Sequence, residues 1–172
     1  MCIIIWSSKG LIPKDHVLKA MISHPDGWGF TVATSGRFHT YRSVDHQAFL
    51  HSWVNRPRGP VLFHARWATH GKVVNANCHP FAIRGHDLMM AHNGTIPGFG
   101  SNKKSDTRDF IEQVLVPMPE WFLQEEGIVA AIRAAIGNSK LVFLAKDGDA
   151  TIINEEAGIW KGGLWYSNHS AF

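Results

Sequence analysis

The sequence predicts an α+β layered fold, in which sheets are covered on one face by helices. Three observations point there. Apolar strand-like stretches occur in antiparallel pairs, residues 28–34 with 37–42 and 141–145 with 151–154. Ser35-Gly36 and Asp147-Gly148, dipeptides suited to tight hairpins, join them. Pairs of segments with apolar residues at helical spacing alternate with these strands. At 172 residues the chain suits one domain, residues 1–172, able to bury about 70% of the surface its unfolded form exposes.

Taken in order, Ile3-Ile4-Ile5-Trp6 is β-branched and apolar, as a buried strand is. Residues 14–23 place Val17, Leu18, Met21 and Ile22 on one helical face, and Pro25-Asp26-Gly27 ends that helix in a turn. After the first hairpin a second helix follows Ser43. It carries Phe49, Leu50, Trp53 and Val54 at the same spacing until Gly59-Pro60 breaks it. Residues 61–66 read as a buried strand, 71–80 as a loop and 88–92 as a short strand. A third helix begins at Ser105 or Asp106, both good N-caps. It buries Phe110, Ile111, Val114 and Leu115 and stops at Pro117 and Pro119. Ile128, Val129, Ile132 and Ile136 mark a fourth helix, closed by Gly137-Asn138. Strands over 141–145, 151–154 and 164–167 finish the chain.

Composition narrows the function classes. Hydrophobic residues make up 45% and charged residues 18%, as in an ordinary globular protein. Neither a long apolar run nor a charged-then-apolar leader occurs, so no membrane segment or signal peptide is expected. Two cysteines make no disulfide framework and fit a reducing, cytoplasmic setting. The net charge of +3 is mild, and only Arg56-Pro57-Arg58 and Lys103-Lys104 cluster, so no nucleic-acid partner is expected. Eleven histidines raise the question of a metal. Cys78-His79 with His64, His70 and His92 are the candidates. They show neither Cys-x-x-Cys nor His-x-x-x-His spacing, so no metal or other cofactor is expected.

The chemistry centres on Cys2. Removal of Met1 would leave a thiol and a free α-amine on one residue, with ordinary pKa values of about 8.5 and roughly 7.7–8.0. One residue could then supply both a nucleophile and its activating base. Three stretches concentrate polar groups where strands run into loops: residues 64–71, 91–94 and 105–107. Arg66 can hold a carboxylate through two parallel hydrogen bonds. Asn93-Gly94 offers a side-chain NH2 and a backbone N–H, the donor types of an oxyanion pocket. Asp106 can receive an ammonium group. Each has a plainer use: a surface ion pair, a turn, a helix cap. As a set they suit an α-amino acid with a reactive side-chain carbonyl, and glutamine is such a molecule.

Met1-Cys2, Asp26-Gly27-Trp28-Gly29, residues 66–71, Asn77-Cys78-His79-Pro80, His92-Asn93-Gly94 and Ser105-Asp106-Thr107 occur in the order found in one family. Over residues 2 to about 107 the chain resembles the class II glutamine amidotransferases, the glutaminase domains of the N-terminal-nucleophile type. The resemblance implies a four-layer αββα sandwich of two antiparallel sheets between helix layers. It implies Cys2 as nucleophile, its α-amine as base through a water, and Asn93 with the Gly94 N–H as oxyanion hole. Arg66 would bind the glutamine α-carboxylate and Asp106 its α-amine. Thr69, His70 and Gly94 would line the pocket, with Trp67 beside it. Glutamate and ammonia would form through a γ-glutamyl thioester, the ammonia serving a separate synthetase or ligase. Ile3 departs from the glycine usual after the nucleophile, and a side chain there could crowd the backbone near it. Two other readings stay open at this point. One is an amidase for a different amide. The other is a catalytically silent binding or regulatory subunit, favoured by Ile3 and a retained Met1.

Overall fold

A computed structural model describes residues 1–172. Ten strands form two antiparallel sheets. The first holds β1 (Ile3–Ser7), β2 (Trp28–Thr34), β3 (Arg37–Ser43), β4 (Val61–Ala65), β9 (Ile159–Lys161) and β10 (Leu164–Tyr166). Its order is β3-β2-β4-β1-β10-β9. The second holds β5 (Phe81–Ala82), β6 (Leu88–Asn93), β7 (Lys140–Ala145) and β8 (Ala150–Ile153), in that order. The first strand of the chain thus lies at the centre of its sheet, between β4 and β10.

Helices α1 (Lys14–Ser23) and α2 (His46–Val54) cover the first sheet; α3 (Asp106–Phe110) and α4 (Glu126–Ile136) cover the second. The layering can be read from three apolar clusters. One joins Ile3, Ile5, Phe30 and Phe63 to Val17 and Met21 of α1 and Phe49 of α2. A second joins Met90, Leu141 and Phe143 to Phe110, Ile132 and Ile136. Between the sheets, Ile4, Leu62 and Trp165 meet Met89, Ala91, Val142 and Leu144. These are the three interfaces of a helix–sheet–sheet–helix stack.

Strand side chains alternate between faces, and that alternation positions the site. Ile4 and Leu62 face the seam between the sheets, so Cys2 and His64 fall in the same series. Trp165 and Ala91 do likewise, and Ser167 and Asn93 follow them. Ile3 and Ile5 face the helix side instead.

Several expectations are corrected. Ile3 is fully buried in the helix-side core, on the face opposite Ile4, so its side chain does not crowd the face that carries Cys2. On α1 the buried residues are Val17, Ala20 and Met21, whereas Ile22 is 80% exposed. The inward face is centred one residue away from the one expected. Val54 is likewise exposed. Helix α3 runs on into a π-helical segment over Ile111–Leu115, whose hydrogen bonds span one residue more than an α-helix's. Strands β5 and β9, of two and three residues, are too short to show a period.

Candidate active site

Cys2 precedes β1 and is buried, whereas Met1 before it is 74% exposed. Its Sγ accepts a hydrogen bond from the Trp67 N–H (3.4 Å) and lies 3.5 Å from the Trp67 carbonyl, to which the thiol donates. Burial pushes the thiol pKa up. The Trp67 hydrogen bond and the positive charges of the terminal amine and Arg66 pull it back only in part, while Asp106 raises it further. The thiol is therefore protonated at neutral pH. Arg66 and Asp106 are both near enough to Cys2 to bear on its titration.

Arg66 follows β4, and its backbone is held by the turn at 26–27: its N–H donates to the Gly27 carbonyl and its carbonyl accepts from Asp26. The buried guanidinium donates to the carbonyls of His70 (2.6 Å), Gly71 (3.4 Å) and Lys72 (3.1 Å). Asp106 opens α3 behind its N-cap Ser105. Its buried carboxylate accepts from the N–H groups of Ile96 (2.9 Å) and Thr107 (2.8 Å). Neither side chain has an ionic partner; the four ion pairs of the protein lie elsewhere. Buried charges without counter-ions are costly. This pair offers one cation and one anion to a ligand.

Asn77 joins the two arms of the site. Its amide donates to the carbonyls of Lys72 (2.9 Å) and Lys103 (3.0 Å), and its oxygen accepts from the Ser105 N–H (3.3 Å) and from Arg108 (3.3 Å). The loop carrying Arg66's acceptors is thereby fixed against the start of α3. Gly71 makes the approach possible: at φ +74° a Cβ would come within 2.7 Å of the Ser105 nitrogen.

Asn93 ends β6, buried, with Nδ2 donating to Ser167 Oγ (2.8 Å) and Oδ1 without a donor. Gly94 follows at φ +142°, where a Cβ would collide with the Ser139 Oγ and lie 2.7 Å from its Cβ. Only glycine lets the backbone N–H come beside that strand end. Trp67 is half exposed, and Thr69 and His70 stand exposed on the loop, His70 touching the site through its carbonyl.

Three buried histidines stand behind these groups. His64 and His79 pack with ring centroids 4.0 Å apart. Thr107 Oγ1 bridges His79 Nε2 (2.9 Å) and His92 Nδ1 (2.8 Å). Burial drives all three pKa values down, His64 to about 3, so the rings are neutral. No three His, Cys, Asp or Glu side chains are grouped as metal ligands would be.

The sequence assigns no role to Asn77, Thr107, Ser139, Ser167 or Asn168, and to His79 only that of a metal candidate. For Asn77, His79 and Thr107 the signal was present in the stretches singled out above. Ser167 and Asn168 could be found only from the pairing of the last strand with the first. The Ile4 N–H donates to Ser167 Oγ (2.8 Å), and Asn168 Nδ2 donates to the Cys2 carbonyl (2.8 Å).

A family model for the class II glutamine amidotransferases matches residues 14–111. Curated relatives include two proteins named glutamine–fructose-6-phosphate aminotransferase (isomerizing). That of Lactiplantibacillus plantarum is 29% identical over 137 residues, covering 73% of this chain and 22% of its own length. That of Shouchella clausii is 32% identical over 132 residues, covering 68% and 20%. The chain thus spans about a fifth of these relatives. Among solved structures, the glutamine phosphoribosylpyrophosphate amidotransferase of B. subtilis, complexed with ADP and GMP, superposes with a TM-score of 0.58 at 13% identity. It covers 96% of this chain and 40% of that one. That likeness concerns the fold, the N-terminal-nucleophile sandwich of two antiparallel sheets between helices. With the family model spanning more than half of its residues, this chain belongs to the class II glutamine amidotransferases.

Proposed function

We propose that residues 1–172 form one glutaminase domain that cleaves the side-chain amide of glutamine at Cys2 after Met1 is removed. The observation that carries this is the pair of buried, uncompensated charges, Arg66 and Asp106, both within electrostatic reach of one thiol. A free α-amino acid supplies a carboxylate to the first and an ammonium to the second, neutralising both at once. Trp67, Thr69 and His70 then border the bound side chain.

Because burial keeps the thiol protonated, attack requires its proton to leave as the S–C bond forms. The unblocked Cys2 α-amine takes that proton through a water. The carbonyl π electrons move onto oxygen, stabilised by the Asn93 NH2 and the Gly94 N–H. Collapse of the tetrahedral species breaks the C–N bond, and the departing nitrogen takes the proton to leave as ammonia. Water then adds to the thioester with the amine again as base, releasing glutamate and restoring the thiol.

The aminotransferase relatives match over only about a fifth of their length. The partner we propose is an ammonia-using synthetase or ligase, separate from these residues, that consumes the released ammonia. Recovery of no ammonia-consuming enzyme with the tagged protein from its native source would count against that partner. The free thiols fit a reducing cytoplasm; no helix is long and apolar enough to cross a membrane. The function is tested by ammonia release from glutamine by wild type and Cys2→Ala, on protein whose intact mass shows loss of Met1. Equal release by both would refute it. N-acetylglutamine, which lacks the ammonium, should be turned over at least about 10-fold less well; equal turnover would instead favour an amidase for other amides.

A further inference from the structure

Ser167 lies where three parts of the site meet. Its backbone N–H donates to the Ile4 carbonyl (3.0 Å), and its hydroxyl oxygen accepts from the Ile4 N–H (2.8 Å), two residues beyond the nucleophile. The same oxygen lies 2.8 Å from the Asn93 carboxamide. With Asn93 Nδ2 also donating to it, Ser167 Oγ receives two donors, and its own hydroxyl proton has no acceptor. On the other arm of the amide, Asn93 Oδ1 is a buried acceptor with no donor. One 180° turn of the carboxamide gives that proton and Oδ1 each other as partners, and leaves the NH2 as the unpartnered arm, a donor free for a ligand. Ser167 then accepts from Ile4 and donates its proton to Asn93 Oδ1, and the Asn93 NH2 occupies the arm now held by oxygen. A hydroxyl has one donor and two acceptor sites, and this arrangement uses the donor. It also decides what the amide can do. An oxyanion needs a donor beside it; a carbonyl oxygen in that place would repel it.

We propose that Ser167 is a positioning residue that holds the Asn93 carboxamide with its NH2 toward the reacting carbonyl. It does so by giving its hydroxyl proton to Oδ1 while anchored to the nucleophile's strand. This rests on the proposed glutamine hydrolysis. Asn168, whose amide donates to the Cys2 carbonyl, is tied to that strand but not to Asn93, so the orienting role belongs to Ser167 alone.

The test compares wild type, Ser167→Ala, Ser167→Thr, Asn93→Ala and the Ser167→Ala/Asn93→Ala double variant. Loss of one oxyanion donor costs about 10²–10³-fold in kcat. Ser167→Ala should accordingly lower kcat by about 100-fold with KM within about threefold, the signature of a transition-state interaction. Ser167→Thr, which keeps the hydroxyl, should recover most of the loss. In the Asn93→Ala background the serine change should cost less than about twofold more, because residues acting as one unit are non-additive. Alkylation of Cys2 by iodoacetamide builds no oxyanion and should stay within about twofold of wild type. An equal loss in both backgrounds, or alkylation that slows together with turnover, would overturn the proposal and leave Ser167 a structural residue. A neutron structure of the wild type decides independently of activity and of whether Ser167→Ala folds. Asn93 Oδ1 toward Ser167 is expected; deuterated nitrogen there would sink the idea. Wild-type protein without glutaminase activity would remove the function proposed above, yet the neutron result would still decide the orientation.

Discussion

Lowering the pH from 7 to 5 should destabilise the protein steeply, and the cause is the buried trio His64, His79 and His92. Each is neutral because burial opposes its charge, and His64 titrates only near pH 3. In the unfolded chain each would titrate near the ordinary value of about 6.5. The folded pKa values are depressed, so below pH 6.5 the unfolded state binds more protons. Stability therefore falls as pH falls, down to the folded-state values. At pH 5 the loss depends only on the unfolded value, provided the folded ring stays neutral. It comes to about 2 kcal/mol per histidine relative to pH 7, or about 6 kcal/mol for three. That is comparable with the whole stability of a typical domain, about 5–15 kcal/mol. Urea unfolding followed by far-UV circular dichroism at half-unit steps from pH 7.5 to 5 reads the effect. His64→Phe should lose about a third of the slope, allowing for the altered packing against His79. A midpoint that stays flat between pH 7 and 5 would show that the rings are already charged, or solvated, in the folded state.

Other outcomes follow from the same structure. Asp106→Asn removes the anion proposed to receive the substrate amine and should raise KM for glutamine by about 10–150-fold, with kcat much less affected; steady-state kinetics decide. Asn77→Ala breaks the four hydrogen bonds between the Arg66 loop and the start of α3. It should cost about 2–4 kcal/mol in denaturant unfolding and raise KM as well. Gly94→Ala meets Ser139 and an unfavourable φ and should lose about 1–3 kcal/mol together with most activity. At the alkaline end, burial raises Cys78 to about 11. The unfolded chain then loses its proton first, and stability falls between about pH 8.5 and 11, by about 3 kcal/mol at most. Urea titrations of Cys78→Ala should show a shallower alkaline slope.

Much of the fold was legible because its signals are local. The run Ile3-Ile4-Ile5 shows a strand buried on both faces, and in the structure Ile4 meets the second sheet while its neighbours meet the helices. Hairpin dipeptides at 35–36 and 147–148 identified the two antiparallel pairs. The inward face of α1 was not legible: Leu18 and Ile22 are as apolar as Val17 and Met21, and only contact with the sheet selects between the two faces. Within the candidate site, Cys2, Arg66, Asn93 and Asp106 stand out only as a set, since each alone has a plainer use as a small apolar residue, an ion pair, a turn or a cap. Ser167 does not stand out. A serine after a strand is unremarkable until its hydroxyl is seen to accept from Ile4, 163 positions earlier. The histidines were visible as a count and not as an arrangement. The neutrality of His64, His79 and His92 comes from burial, which is a property of packing.

The central claim is a covalent glutamyl enzyme at Cys2, and acid quenching during turnover tests it most directly. Protein lacking Met1, mixed with excess glutamine and quenched within the first turnovers, should carry one γ-glutamyl group by intact mass. Fragmentation should place it on the Cys2 sulfur, and Arg66→Gln should abolish the adduct. Ammonia release by protein whose Cys2 never carries that group, or an adduct at Cys78 instead, would contradict the mechanism.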